Sequence, residues 1–385
     1  IFSIWGTEFY PRHHLNMLND WPPSFRAGEN EFFMKVAIVL FNLGGPDKPA
    51  AVRPFLRNLF SDPAIIGAPG PIRWLLARWI SFRRAPIALK IYQHLGGKSP
   101  LLDLTGKQAR ALEQLFSGPD EIKAFISMRY WHPMSDETAR AVRNFAPDRV
   151  VLLPLYPQFS TTTTGSSLTD WKRAAKQAGL DATTTTVCCY PDEPGFITAI
   201  ARLVESEINQ ASSAGKPRIL FSAHGLPKKI VDAGDPYPRH VEMTATAIVA
   251  NLAQADLDWV VCYQSRVGPL QWIGPSTEDE IARAANDGVP VVIVPIAFVS
   301  EHSETLVELD IEYRELADQL GVCAYHRVAT VGTEARFIGG LKNCVDRAMD
   351  AIKAGDKGEA VTISCSEVGG ACAPGVVCCP LSIRK

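Results

Sequence analysis

Short apolar runs alternate with amphipathic segments of helical period along most of this chain. Runs that are apolar at nearly every residue are typical of strands buried on both faces of a parallel sheet, with helices supplying the cover. The alternation therefore predicts an α/β fold. The predicted strands span residues 36–41, 122–127, 150–155, 183–189, 218–222, 259–263, 291–296 and 323–328. The predicted helices span residues 50–60, 136–145, 168–177, 196–208, 239–252, 278–285, 305–320 and 334–352.

The predicted strands divide into two sets of four around residues 190–194, a segment with two prolines and no apolar run. This break predicts two Rossmann-like domains, residues 34–192 and 193–355, each with a four-stranded parallel sheet flanked by helices. One large sheet of eight strands is the alternative, because no internal sequence repeat demonstrates a duplication.

Composition narrows the class of protein. The chain has 385 residues, an apolar fraction of 46% and a formal net charge of −2, which is ordinary for a globular protein and gives no reason to expect nucleic-acid binding. No apolar run reaches the roughly 18 to 20 residues of a membrane span.

Residues 1–33 lack the features of a signal peptide. We expect them to be an extension outside the fold, with a folded arm as the alternative, and we expect a cytoplasmic protein.

Residues with chemical potential follow several predicted strands, where parallel sheets bind their ligands. Arg129 stands beside Tyr130 after the second strand, a combination that suits a flat, anionic aromatic ligand. His224 follows the fifth strand and is placed for proton transfer or metal ligation. Each has a structural alternative, as a surface arginine or a core histidine. The glycines at 44–45 do not form a GxGxxG pattern, so no nucleotide cofactor is predicted.

An acidic line follows the seventh strand. Glu304, Glu308 and Glu312 recur every four residues, and Glu301 extends the series on one predicted helix face. Like charges so placed repel unless they are solvated or face cations. With His302 nearby, these hard ligands suit a divalent metal such as Fe²⁺. A solvated surface helix is the alternative.

Seven motifs in one order resemble those of the ferrochelatase family, over nearly all of residues 34–350. They are FNLGGP at 41–46, YQHLGGKSP at 92–100, MRYWHP at 128–133, LPLYPQFSTTTTGSSL at 153–168, SAHGLP at 222–227, YQSRVGPLQWIGP at 263–275 and VPIAFVSEHSETLVELDIEY at 294–313. The resemblance implies two Rossmann-like domains with a porphyrin in the cleft between them. It also implies a lyase that inserts Fe²⁺ into protoporphyrin IX to form haem b, the last step of haem biosynthesis.

The resemblance also assigns site residues. His224 and Glu304 would be metal ligands and the catalytic pair, with His224 accepting protons as a neutral imidazole. Glu301, Glu308 and Glu312 would carry protons or cations, and a π-type turn near residues 304–308 would align them. The positions that match the family's porphyrin pocket are Leu43, Tyr92, Ser99, Arg129, Tyr130, Gln264, Trp272 and His302. Arg129 and Ser99 would meet the propionates.

Residues 65–86, which match the family's pocket lip, place tryptophans among arginines. This mixture suits peripheral contact with a membrane surface, here the inner membrane, from which a hydrophobic substrate is drawn. Packing of a core helix is the alternative.

The cysteine-rich tail, residues 356–385, offers a ligand set for a [2Fe–2S] cluster. Some family members bind such a cluster, and the candidate ligands are Cys365, Cys372, Cys378 and Cys379. Some of those members take one ligand from the loop that here spans residues 160–164, which has no cysteine. The fourth ligand then comes from the tail, or from Cys188 or Cys189. A tail without a cluster is the alternative.

Two other functions stay open on sequence grounds. One is a related chelatase that uses cobalt, or coproporphyrin in place of protoporphyrin. The other is a carrier of porphyrin or iron without enzymatic activity. The sequence does not indicate an oligomeric state.

Overall fold

Nine strands form two separate parallel sheets in the part of the chain that the computed structural model describes, residues 33–252, 254, 256–266, 268, 270–353 and 361–366. The strands are β1 (Lys35–Asn42), β2 (Glu121–Met128), β3 (Arg149–Pro154), β4 (Thr183–Val187), β5 (Arg218–His224), β6 (Asp258–Gln264), β7 (Val291–Pro295), β8 (Tyr325–Arg327) and β9 (Val361–Ile363). The eight predicted strands are all present. The α/β fold class with two parallel sheets is confirmed.

Both sheets arrange their first four strands in the same way. The first sheet has the order β2-β1-β3-β4-β9 and the second has the order β6-β5-β7-β8. The connections therefore change direction between β1 and β3 in one sheet, and between β5 and β7 in the other. Parallel sheets bind ligands at such switch points, beyond the carboxyl ends of the strands.

The first sheet differs from the prediction by its fifth strand. β9 pairs in parallel with β4, with Val361 opposite Thr185, and it lies within the segment assigned to the cysteine-rich tail. Its three residues are too few to give a recognisable periodic signal, so only the tertiary pairing reveals the strand.

All eight predicted helical segments are helical in the structure, which also contains helices that were not predicted. The α-helices are α1 (Val52–Ser61), α2 (Gly70–His94), α3 (Leu101–Glu113), α4 (Ser135–Phe145), α5 (Ser166–Ala178), α6 (Pro194–Ala211), α7 (Lys228–Asp232), α8 (Tyr237–Asn251), α9 (Thr277–Asp287), α10 (Tyr313–Leu320) and α11 (Ala335–Lys353). Two π-helices precede α5 and α10, at Thr161–Gly165 and Glu304–Glu312. Among the described residues, no helix is both long and apolar enough to cross a bilayer.

One large apolar cluster joins the two sheets. It contains Ile38 of β1, Val204 of α6, Phe221 of β5 and Leu341 of α11, all fully or almost fully buried. The helices α6 and α11 thus share a core with strands of both sheets. The predicted boundary at residues 192–193 falls just before α6, and the division into two domains stays a prediction.

Gln108, in the middle of α3, connects three backbone segments. Its Nε2 donates to the carbonyl oxygens of Val299 at 2.8 Å and Gly332 at 2.9 Å, and its Oε1 accepts from the hydroxyl of Ser300 at 2.9 Å. The side chain is fully buried. Because Val299 and Ser300 lead directly into residues 301–304, Gln108 holds the start of the segment that carries the acidic line.

We expect Gln108→Ala to lower the free energy of unfolding by about 3 kcal/mol, because three buried polar groups each lose a partner at about 1 kcal/mol. Chemical denaturation measures this change. Gln93→Ala, at an exposed glutamine near the end of α2, is the matched control and is expected to stay within about 0.5 kcal/mol of the wild type. A loss below about 1 kcal/mol for Gln108→Ala would contradict this role.

Candidate active site

His224 and Glu304 meet at the switch point of the second sheet. His224 is the last residue of β5, and Glu304 begins the π-helix that follows the neighbouring strand β7. The His224 Nδ1 lies 2.8 Å from the Glu304 Oε2. Their side chains are 41% and 32% exposed, so the pair is open to a ligand.

The two groups of this pair determine each other's protonation. Burial alone lowers the pKa of His224, but the Glu304 carboxylate outweighs it and raises the pKa to about 9. Burial likewise favours neutral Glu304, but the charge of His224 and its hydrogen bond lower that pKa to about 2. The Glu304 carboxylate therefore favours the protonated form of His224 in this pair. The sequence led us to expect a neutral imidazole. The proton on His224 must therefore leave before the imidazole can bind a cation.

Glu308 is the next carboxylate along the π-helix, one turn beyond Glu304. Burial, together with the charge of Glu304, raises its pKa to about 7. Its oxygens accept hydrogen bonds from the Ser265 backbone N–H at 2.8 Å, the Ser265 hydroxyl at 2.5 Å and the Gln264 Nε2 at 3.0 Å. Ser265 makes both bonds from a left-handed backbone conformation, with φ of 60°, which is uncommon for a residue other than glycine.

The acidic line is partly as predicted. The π-helix expected near residues 304–308 is confirmed and extends to Glu312, which is exposed. Glu301 does not belong to the line, because it precedes this helix. Its carboxylate accepts from the Arg327 Nη1 at 2.6 Å and from the Thr330 backbone N–H at 2.9 Å, and Arg327 also pairs with Asp310. This pairing ties Glu301 to β8, and its role in a proton or cation path stays a prediction.

His302 and Tyr92 lie beside Glu304. The His302 Nδ1 accepts from the Glu304 backbone N–H at 2.9 Å, so the hydrogen of its neutral ring is on Nε2. Burial lowers the pKa of His302, which keeps it neutral. Tyr92, near the end of α2, is 7% exposed and hydrogen-bonds the side chain of Ser303. Burial raises the pKa of Tyr92 to about 12.

Trp272 lies beside the loop that follows His224, whereas Gln264 is buried inside the protein. Trp272 pairs with Pro227 in an isolated bridge and packs against Gly225, so it borders the loop that follows His224. Gln264 is fully buried, with its Oε1 accepting from Ser222 at 2.8 Å and its Nε2 bound to Glu308. Gln264 thus supports Glu308, and its contact with the ring stays a prediction.

Leu43 and Ser99 belong to the loops above the first sheet. Leu43 follows β1 and is half-buried; its carbonyl oxygen accepts from the Tyr130 backbone N–H at 2.9 Å. Ser99 is 8% exposed and packs so closely on Gly45 that a Cβ at Gly45 would lie 2.5 Å from the Ser99 side chain. These loops therefore support one another.

Arg129 and Tyr130 use their polar atoms inside the protein. The Arg129 Nη2 lies 2.8 Å from the Asp62 Oδ2, and its Nε donates to the Ser166 hydroxyl at 2.7 Å. The Tyr130 hydroxyl also donates to Asp62, at 2.8 Å, and Tyr130 is 1% exposed. Asp62 was not among the residues selected from the sequence, because an isolated acidic residue after a helix carries no distinguishing signal.

Of the four candidate cluster ligands, only Cys365 is among the described residues; Cys372, Cys378 and Cys379 lie outside them. Cys365 is fully buried, and its thiol donates to the backbone carbonyl oxygen of Cys344 on α11 at 4.0 Å. Its backbone N–H donates to the Cys189 carbonyl oxygen at 3.0 Å. Within the described ranges, no group of three or more His, Cys, Asp or Glu side chains is arranged to hold a metal ion.

Comparison with known proteins identifies a family for this chain. A family model described as ferrochelatase matches residues 35–349. The ferrochelatase of Caulobacter vibrioides is 60% identical over 314 residues, covering 81% of this chain and 89% of the relative. That of Phenylobacterium zucineum is 55% identical over 320 residues, covering 82% and 92%. Among solved structures, SirB from Bacillus subtilis with Fe³⁺ is similar with a TM-score of 0.51 and 13% identity, over 83% of this chain and 98% of that one.

The α/β fold with two parallel sheets and the family match together define a metal chelatase. The SirB likeness supports the fold, and the much closer relatives support the family. The chain belongs to the ferrochelatase family. It is a porphyrin metal-chelating enzyme.

Proposed function

We propose that this chain inserts Fe²⁺ into protoporphyrin IX, forming haem b and releasing two protons, and that it acts as the terminal lyase of haem biosynthesis. The observation that carries the proposal is the His224–Glu304 pair at the switch point, held at 2.8 Å and partly open. A carboxylate and an imidazole together suit a divalent iron ion.

The reaction exchanges one Fe²⁺ for two pyrrole N–H protons, so the site must attract a dication and then discharge protons. The Glu304 carboxylate attracts the cation, and His224 becomes a ligand or a proton acceptor once its own proton has left. Glu308 and the exposed Glu312 continue the π-helix toward solvent. We propose that these carboxylates pass protons or cations between the pair and water.

Ring binding is proposed to involve Trp272, Tyr92 and Leu43, which border the His224 loop, the Glu304 segment and β1 respectively. We propose that the site fits a bent macrocycle better than a flat one. Since bending exposes the nitrogen lone pairs, a site that fits the bent ring better lowers the barrier to insertion.

The test is an anaerobic assay in which protein, Fe²⁺ and protoporphyrin IX are mixed and the haem spectrum is followed. Parallel assays replace the porphyrin by coproporphyrin III, or the metal by Co²⁺. Fastest turnover with Fe²⁺ and protoporphyrin IX supports the proposal. Faster turnover in another assay assigns the alternative substrate. Porphyrin binding without any metal insertion would instead indicate a carrier.

A second proposal concerns the surface of α2. Its exposed large side chains include Trp74 (57% exposed), Leu75, Trp79 (62%) and Phe82, and arginines lie next to them in the sequence. The Arg78 guanidinium lies 5.0 Å from the centre of the Trp74 ring. We propose that this face of α2 docks peripherally on an anionic membrane, since aromatic and cationic side chains together favour the lipid interface.

We expect wild-type protein to float with vesicles of phosphatidylcholine and phosphatidylglycerol, and the double variant Trp74→Ser/Trp79→Ser to float at least about fivefold less, since two large apolar side chains no longer enter the interface. Leu115→Ser, at a residue 41% exposed beyond α3, is the control and should float like the wild type. Equal flotation of all three proteins would contradict docking through α2.

The [2Fe–2S] cluster stays a prediction that depends on cysteines outside the described residues. Iron and sulfide analysis of the purified full chain, with its visible spectrum, tests it. The mechanism above has no step that involves a cluster.

A further inference from the structure

Asp62 is a buried carboxylate that connects the turn leading into the pocket lip, residues 65–86, with the expected porphyrin pocket. It directly follows α1 and is 4% exposed. Its Oδ2 accepts hydrogen bonds from the Tyr130 hydroxyl and the Arg129 Nη2, both at 2.8 Å, and from the Ser166 hydroxyl. Its Oδ1 accepts from the Ala64 backbone N–H at 2.8 Å. The Asp62 side chain thus binds Arg129 and Tyr130, two residues of the expected porphyrin pocket, and also the backbone turn that begins at Asp62.

This arrangement leaves Arg129 with its charge neutralised. Besides Asp62 on its Nη2, it has the Ser166 hydroxyl on its Nε at 2.7 Å and the Asp170 carboxylate 3.8 Å from its Nη1. The Arg129 side chain is 16% exposed. A porphyrin propionate that approached this guanidinium would compete with carboxylates that are already in place.

Charge complementarity connects this geometry to substrate choice. Porphyrins share a flat apolar ring and differ in their number of carboxylates: protoporphyrin IX has two, and coproporphyrin III has four. Each additional carboxylate that enters a partly buried pocket loses hydration and needs a cation there. An arginine paired with an internal carboxylate does not supply that cation.

We propose that Asp62 is a positioning and specificity-determining residue for the porphyrin site: by neutralising Arg129 and orienting Tyr130, it disfavours porphyrins with more than two carboxylates. This inference rests on the proposed function and on the pocket position that the family resemblance implies for Arg129, whose backbone N–H donates to the Asn42 carbonyl oxygen, next to Leu43. In this proposal Asp62 decides which porphyrins bind. Neither the His224–Glu304 pair nor the acidic line makes that distinction.

The test measures binding of metal-free protoporphyrin IX and coproporphyrin III by quenching of tryptophan fluorescence at low salt. Asp62→Asn preserves the shape of the side chain and one carbonyl acceptor but releases the charge of Arg129. We expect the affinity ratio to shift about tenfold toward coproporphyrin III, and the shift to diminish at high salt. Ser166→Ala removes a hydrogen bond to Asp62 without a change of charge, and it is the matched control in which the ratio stays within about twofold.

A second variant makes the test independent of whether Asp62→Asn folds. Arg129→Gln leaves the Asp62 charge unpaired, so the ratio should shift in the opposite direction, toward protoporphyrin IX. The double variant Asp62→Asn/Arg129→Gln should restore the wild-type ratio. Unchanged ratios in both single variants, with both porphyrins still bound, would overturn the role of Asp62 alone. Wild-type protein that binds neither porphyrin would overturn the proposed function as well.

Discussion

Glu304→Gln is expected to lower the kcat for metal insertion by about 10²- to 10⁴-fold, the range usual for loss of a positioned proton-transfer group. The substitution removes the negative charge that attracts the cation and pairs with His224 at 2.8 Å. His224→Ala should have a similar effect. Because the two side chains act as a unit, the double variant should be little worse than either single one. Anaerobic steady-state assays of haem formation measure these rates.

Two controls separate chemistry from folding and binding. Glu315→Gln makes the same substitution at an exposed position on α10, and we expect its rate to stay within about twofold of the wild type. Fluorescence quenching by protoporphyrin IX should show that Glu304→Gln still binds the ring. A kcat for Glu304→Gln within threefold of the wild type would mean that this pair does not carry the reaction.

Gly340→Ala is expected to lower the free energy of unfolding by about 3 kcal/mol, near the upper end of what overpacking costs. A Cβ at Gly340 on α11 would lie 2.6 Å from the Glu193 Cδ and closer still to its Oε2. Glu193 has no room to move away, because it is 3% exposed and its Oε2 accepts from the Phe196 backbone N–H at 2.7 Å, which caps α6. The clash therefore separates α11 from the start of α6.

The neighbouring glycine provides the control. A Cβ at Gly339, in the same helix, meets no atom within 4 Å, so Gly339→Ala should stabilise the protein by up to about 1 kcal/mol through helix propensity alone. Urea denaturation of both variants gives the comparison. A Gly340→Ala variant as stable as Gly339→Ala would show that α6 and α11 do not approach as closely as described.

Much of the fold was predictable, because strands buried in parallel sheets are apolar along their length and their covering helices are amphipathic. The eight predicted strands and the helical segments between them all appear. α3 and the full extent of α2 were not predicted. The predicted lip ended at Pro86, but α2 continues through it to His94. β9 was missed because three residues give no period, and its pairing with β4 depends on contacts far apart in the sequence.

The candidate site shows the same division between sequence and tertiary structure. Position after a strand was enough to select His224, and spacing was enough to place Glu304 and Glu308 on one helix. The tertiary structure decided how they titrate: the Glu304 carboxylate raises the pKa of His224, and burial beside Glu304 raises the pKa of Glu308. Those effects depend on distances between residues about 80 positions apart, which no local pattern contains.

The sequence by itself determined the α/β class, the strand ends where chemistry is concentrated, and the resemblance to a family that the comparisons confirm. Only the tertiary structure showed that Arg327 takes Glu301 out of the acidic line and that Asp62 neutralises Arg129. The physical reason is that a sequence shows which charges a chain carries, whereas charge pairing acts over a few ångströms and is decided by how the chain packs.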